Sequence, residues 1–183
     1  MAMPLPLPTF TTDDLRAFPH DGQRYELLEG MLLVTPAPGT AHQVVLSRLL
    51  FETVAYLATA ELAFAVSPGE IEIAPKTLLE PDLLMYPARY RPGTPWRAIR
   101  EWWLAAEVFS PSSRVYDRDY KRDAYLSLGV DEVWLVDLDD RAIFASRRGA
   151  ERDVRHADRL LWKPAAMTEP LEVDVESVFR GVP

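Results

Sequence analysis

The chain has 183 residues, a net charge of −8, a pI of about 4.9 and no cysteine. That length suits one domain spanning 1–183, and the missing cysteines exclude both a disulfide framework and a thiolate metal site. The acidic balance argues against a nonspecific nucleic-acid binder but leaves room for a local basic groove.

Residues 1–10, "MAMPLPLPTF", read as an extended Pro-rich lead-in with neither the basic nor the apolar region of a signal peptide. No apolar run approaches the ~18 residues of a membrane span. The expectation is a soluble, cytoplasmic protein with no membrane partner. "TTDDLRAF" reads as a short helix with Thr12 as N-cap, ended by Pro19. "RYELLEGMLLVTP" is two apolar runs about Glu29-Gly30 and predicts an N-terminal β-hairpin.

"AHQVVLSRLLFETVAYLATAEL" predicts a long helix. Val45, Leu46, Leu49, Leu50, Thr53, Val54 and Leu57 form its apolar stripe. His42 lies on that stripe in the first turn and should point towards a sheet. "LAFAV" and "EIEIA", joined by "SPGE", predict a strand pair. "PDLLMYP" reads as a short buried strand opened by Asp82. Residues 87–101, with three prolines and four arginines, read as an irregular loop. "WWLAAEVF" is nearly all apolar and predicts a central strand covered on both faces. "DRDYKRDAYLSLG" predicts a helix with Gly129 as C-cap, "DEVWLVDLDD" a further buried strand and "RAIFASRRG" its hairpin partner. The tail, 151–183, reads as short strands or turns. This order implies an α/β (α+β) fold, a mixed sheet flanked by helices.

The chain carries no G-x-x-x-x-G-K, no G-x-G-x-x-G and no G-x-S-x-G motif. What remains is a carboxylate set. Asp82 opens one core strand, and Glu107 stands near the end of the next. A carboxylate there is expensive to bury alone, so a cation, a hydrogen-bond array or a metal ion must compensate it. Two hard oxygen ligands on neighbouring strands would suit Mg²⁺ or Mn²⁺. The basic residues are 17 Arg and only 3 Lys, one of them Lys121. Asp117, Lys121 and Tyr125 share one helix face, beside the stripe Tyr116, Tyr120, Ala124, Leu128 that should pack on the sheet. Lys121 can therefore reach towards the strand ends.

Singly, each residue has a plain structural reading. Asp82 suits a turn after proline, Glu107 an arginine partner, Lys121 a solvated helix position, His42 a core or helix-start histidine and Glu29 a hairpin turn.

Together, "YELLEGMLLVTPAPGTAHQ", "PDLLMYP" and "AAEVFSPSSRVYDRDYKRDAYLSLGVDEVWLVD" resemble the PD-(D/E)XK nuclease superfamily and, more narrowly, the Uma-type restriction endonuclease family. The resemblance runs from about residue 12 to about residue 178. It implies a restriction-endonuclease-like core with a divalent-metal site. Asp82 matches the D of the PD motif and Glu107 the acid of (D/E)XK, both as metal ligands. Val108 stands at the X, where its carbonyl could face the metal. The motif's lysine is absent, because Phe109 occupies its place, and Lys121 on the following helix takes that role. His42 and Glu29 match recurring positions and are assigned as pocket-lining.

The implied activity is hydrolysis of nucleic-acid phosphodiester bonds, in DNA by first expectation, with Mg²⁺ or Mn²⁺ as cofactor. Arg114, Arg118 and Arg122 around the helix, and Arg89, Arg91, Arg97 and Arg100 in the loop, are candidate phosphate contacts. The rival readings are a catalytically silent binding module that keeps the fold, an RNA-directed nuclease, and an ion-pair cluster with no metal. A homodimer would suit cleavage of both strands, with Trp96, Trp102 and Trp103 either at its surface or in the core.

Overall fold

The computed structural model describes residues 9–19, 21–58, 60–109, 120–150 and 153–183. Helix α1 (Thr12–Leu15) is capped by Thr11, one residue before the expected position. Thr11 forms a capping box with Asp14, and such a reciprocal pair outcompetes a lone hydroxyl. Strands β1 (Arg24–Leu28) and β2 (Met31–Thr35) form the predicted hairpin. Glu29 and Gly30 at its turn have φ of 52° and 87°. Positive φ at both central residues is what a tight two-residue hairpin demands. A Cβ at Gly30 would also approach the Phe10 carbonyl oxygen at 3.3 Å.

Helix α2 (Thr40–Ala58) buries Val45, Leu46, Leu49, Thr53 and Leu57 of the expected stripe, whereas Leu50 is partly buried and Val54 is exposed, because the face that meets the sheet is narrower than the stripe. The expected pairing of "LAFAV" with "EIEIA" is not formed. β3 (Ala63–Val66) joins one sheet, while β4 (Ile71–Ile73) pairs with β5 (Thr77–Leu79) in another. Short alternating strands bind whichever edge the rest of the chain offers, and the "SPGE" link does not hold these two in register.

β6 (Leu83–Pro87), β7 (Leu104–Phe109), β8 (Glu132–Asp137) and β9 (Ala142–Arg147) follow, with α3 (Arg122–Leu128) between β7 and β8. The chain ends with β10 (Val154–His156), β11 (Arg159–Trp162), β12 (Leu171–Asp174) and α4 (Val175–Val178).

A six-stranded sheet has the order β10-β9-β8-β7-β6-β3, and a four-stranded sheet the order β2-β1-β5-β4. β11 and β12 form a separate ribbon. Within the six-stranded sheet β7 and β8 are parallel, and the other neighbouring strands pair antiparallel. α3 lies in the β7–β8 crossover, as a parallel connection requires.

The period-2 alternation of the central strands sorts their side chains onto two faces. Leu104, Ala106 and Val108 face α2, Trp134 and Trp162 in one apolar cluster. Ala105 and Phe109 face Leu33, Tyr125 and Trp102 in the other. Glu107 belongs by alternation to this second face, and so does Asp82, two residues before Leu84. Both carboxylates therefore point into the space between the two larger sheets. Trp102 and Trp103 are buried and Trp96 is partly buried, which takes the first two into the core.

Candidate functional site

Leu83 pairs with Ala106 across β6 and β7. One step outward, that register sets Asp82 opposite Glu107, and directly opposed residues of an antiparallel pair project to the same face. Asp82 and Glu107 are 2% and 3% exposed. Both line a cavity of about 650 Å³, together with the run from Leu32 to Gly39 and with Arg24, His42, Val108 and Lys121.

Asp82 is held by three donors. Its Oδ1 accepts from Arg24 Nη1 at 2.9 Å. Its Oδ2 accepts from the Val108 backbone N–H at 2.9 Å and stands 2.9 Å from His42 Nε2. Burial pushes the carboxyl up, but the His42 hydrogen bond, the charges of His42 and Arg24 and the Val108 N–H outweigh it. The net effect holds Asp82 below its ordinary value.

Glu107 Oε1 accepts from Lys121 Nζ at 3.0 Å and from the Tyr125 hydroxyl at 2.5 Å. Lys121 Nζ also stands 2.7 Å from Glu26 Oε2. Glu26, wholly buried, accepts the Glu80 backbone N–H on its other oxygen at 2.7 Å. Burial opposes the charge on Arg24, but the carboxylates of Asp82, Glu107 and Glu26 prevail and raise its pKa.

Local structure explains how these groups arrive. Arg24 and Glu26 are two residues apart on β1 and so share the face that looks across to β6 and β7. A π-type turn at Tyr120 and Lys121 leads into α3 and delivers Lys121 to the buried side. The far end of α3 is closed at Gly129, with φ of 103°, where Val130 N–H reaches Tyr125 carbonyl at 3.0 Å. The buried face of the helix holds Lys121, Ala124 and Tyr125, while Tyr120 is 49% exposed. The expected Tyr116–Leu128 stripe is thus displaced towards the lysine, because ion pairing with two buried carboxylates draws Lys121 inward. Tyr116 and Asp117 lie outside the described residues.

Among the sequence-predicted residues, Asp82, Glu107, Lys121, His42 and Val108 meet in one cavity. Val108 contributes its N–H to Asp82. Glu29 does not line the cavity; it is an exposed turn residue whose N–H donates to Thr77 Oγ1 at 3.2 Å. Its left-handed backbone places it at the hairpin tip, away from the strand face that points inward. Arg122 pairs with Asp123 and Asp153, each at 2.8 Å, and is not a cavity residue. Arg89 pairs with Glu101, Arg100 bonds to the Ile99 carbonyl, and neither these nor Arg91 and Arg97 line the cavity. Arg114 and Arg118 lie outside the described residues. Sequence reasoning missed Arg24 and Glu26. The available signal was their i, i+2 spacing in "RYELL", which puts two opposite charges on one face of a strand.

Asp82 and Glu107 match in kind what Mg²⁺ or Mn²⁺ takes: hard oxygens on adjacent strands facing a cavity. Among the described residues no group of three or more His, Asp or Glu is arranged to hold a metal ion. Two carboxylates would therefore be the described protein contribution, with water and phosphate oxygens completing the shell.

The sequence matches the family Uma2, described as "Putative restriction endonuclease", over residues 12–176. No curated protein matches it. A solved structure described as a "putative nuclease belonging to DUF820", from Anabaena variabilis ATCC 29413, superposes with a TM-score of 0.76 at 18% identity. The match covers 93% of this chain and 97% of that one, and at this identity the likeness shows the fold. Among the described residues no helix is long and apolar enough to cross a membrane.

Proposed function

We propose, from the premise that this chain belongs to the Uma2 family of "Putative restriction endonuclease" proteins, that it is a divalent-metal-dependent endonuclease acting on DNA. The observation that carries this reading is the opposed pair Asp82 and Glu107 on one cavity wall, with Lys121 bonded to Glu107 at 3.0 Å.

Asp82 and Glu107 would hold Mg²⁺ or Mn²⁺. A cation held there supplies Lewis acidity towards a phosphoryl oxygen and lowers the pKa of water. The chain's own residues do the rest. His42 and the Val108 N–H fix Oδ2 of Asp82, so its carboxylate is oriented before substrate arrives. Lys121, anchored between Glu26 and Glu107, sets a positive charge at the cavity wall, where negative charge develops on the phosphorane-like transition state. In the overall step the water oxygen bonds to phosphorus and one P–O ester bond breaks. The water gives up a proton, and the departing alkoxide takes one.

The test is incubation of supercoiled plasmid, and separately of a folded RNA, with wild type, Asp82→Asn and Glu107→Gln in Mg²⁺ or Mn²⁺. Wild type should nick or linearise the plasmid, and both variants, folded by circular dichroism, should lose at least about a hundredfold. Cleavage of RNA alone would move the substrate from DNA to RNA. A folded wild type inert on both nucleic acids would favour the second reading, a silent binding module. That reading is supported by the direct pairing of Asp82 and Glu107 to protein donors.

A further inference from the structure

The buried carboxylates in and beside the cavity are each paired with one of the protein's own cations. Glu26, Asp82 and Glu107 are at most 3% exposed, and Arg24 and Lys121 stand among them. The two cations are not held alike. Lys121 is clamped between two carboxylates, and its side chain is 3% exposed. The Arg24 side chain is 20% exposed and forms part of the cavity wall. It meets Asp82 at Oδ1, and its other contacts are the Glu80 carbonyl at 3.0 Å and the Glu80 carboxylate at 3.7 Å.

The two oxygens of Asp82 also differ. Oδ2 carries the Val108 N–H and His42 Nε2, which engages both of its lone pairs. Among the described residues Oδ1 carries Arg24 alone. The open coordination position on Asp82 for a divalent cation is therefore the lone pair of Oδ1 that Arg24 leaves free. A cation there would sit beside a guanidinium, and two unlike ligands of the same sign compete for one buried carboxylate.

We propose that Arg24 is the exchangeable counter-ion of this site: it occupies Asp82 Oδ1 in the metal-free protein and is displaced from it when the divalent cation binds. This rests on the metal-dependent reading given above. Arg24 thereby keeps the buried carboxylates compensated before metal arrives, so that the fold does not depend on the cation. It also weakens metal affinity, because its charge must be moved aside.

The experiment is calorimetric titration of Mg²⁺ and Mn²⁺ into wild type, Arg24→Gln and Arg24→Lys. Arg24→Gln is expected to bind metal at least about tenfold more tightly than wild type, and Arg24→Lys, which keeps the charge, within about threefold of wild type. In parallel, the Arg24 Nε–H resonance of wild type, assigned by its absence in Arg24→Lys, is followed while Mg²⁺ is added. It should move or exchange faster along the same saturation curve as the calorimetric heat. That measurement stands even if Arg24→Gln fails to fold. Metal binding by wild type with an unmoved Arg24 resonance, or with equal or weaker affinity in a folded Arg24→Gln, overturns the proposal and leaves the nuclease reading intact. No metal binding by any of the three folded proteins overturns both.

Discussion

Lys121 Nζ lies 2.7 Å from Glu26 Oε2, joining the start of α3 to the middle of the first strand. Both residues are buried, so neither charge can fall back on water. This contact ties the N-terminal hairpin to the helix behind β7 and sets the lysine's position over Glu107.

Glu26 should therefore matter to both fold and site. Glu26→Ala strands the Glu80 N–H and takes one carboxylate from Lys121, and we expect a loss of about 3 kcal/mol, the low end for breaking a buried pair. Glu26→Gln keeps the acceptor for Glu80 and should lose less. Urea denaturation of the two variants measures this. An Ala variant as stable as wild type would contradict the anchoring role.

Lys121→Met would bury Glu26 and Glu107 without their shared cation. The expected cost is about 3–5 kcal/mol. Lys121→Arg should recover part of it, although a planar fork fits poorly where a compact ammonium bridges two oxygens. Plasmid cleavage, scored at a temperature where all variants are folded, should fall at least about tenfold in both. Full activity in Lys121→Met would remove the lysine from the mechanism.

Asp82 makes stability fall in acid. Its folded-state pKa is held below the ordinary 3.8, so on acidification the unfolded chain takes up the proton first. The stability it contributes is present above 3.8 and is lost as the pH drops through the folded value. Asp82→Asn should thus be less stable than wild type at pH 7, with a gap that narrows towards pH 3. Denaturation midpoints at both pH values provide the check.

Glu70 works in the opposite direction. Burial, then the charges of Glu72 and Glu80, push its pKa up to about 7, with Arg16 partly opposing them. Between the ordinary 4.5 and about 7 the folded state holds a proton that the unfolded state has released, so stability declines as the pH rises through that window. Glu70→Gln should gain about 1 kcal/mol at pH 8, a figure discounted for solvent screening, and nothing at pH 4. Equal gains at both pH values would show that ionisation is not the cause.

Gly69 is required by the strand that carries Asp82. A Cβ there would stand 2.3 Å from the Cβ of the fully buried Leu84. The Gly69 N–H also donates to the carbonyl of Pro81, next to Asp82, at 3.0 Å. Gly69→Ala should cost about 1–3 kcal/mol by overpacking. Because the displaced residue lies two positions from Asp82, metal affinity by calorimetry should weaken as well.

Read as a sequence, this protein determines its central architecture. The helix at Thr40–Ala58, the buried strands from Leu83 to Arg147 and the hairpin at Glu29-Gly30 follow from apolar periodicity and turn chemistry, which act between near neighbours. Asp82 and Glu107 were legible for the same reason: a carboxylate in an apolar strand is conspicuous wherever that strand goes. The partners of β3 and β4, the buried face of α3, and the places of Arg24 and Glu26 were decided only by tertiary structure. An alternating strand does not encode which edge it joins. A charged residue in a hairpin reads as solvent-facing until another element covers it. The four-stranded sheet turns Arg24 and Glu26 towards β6 and β7, and there the cost of burying charge is offset only by the opposite charges that the rest of the chain brings to meet them.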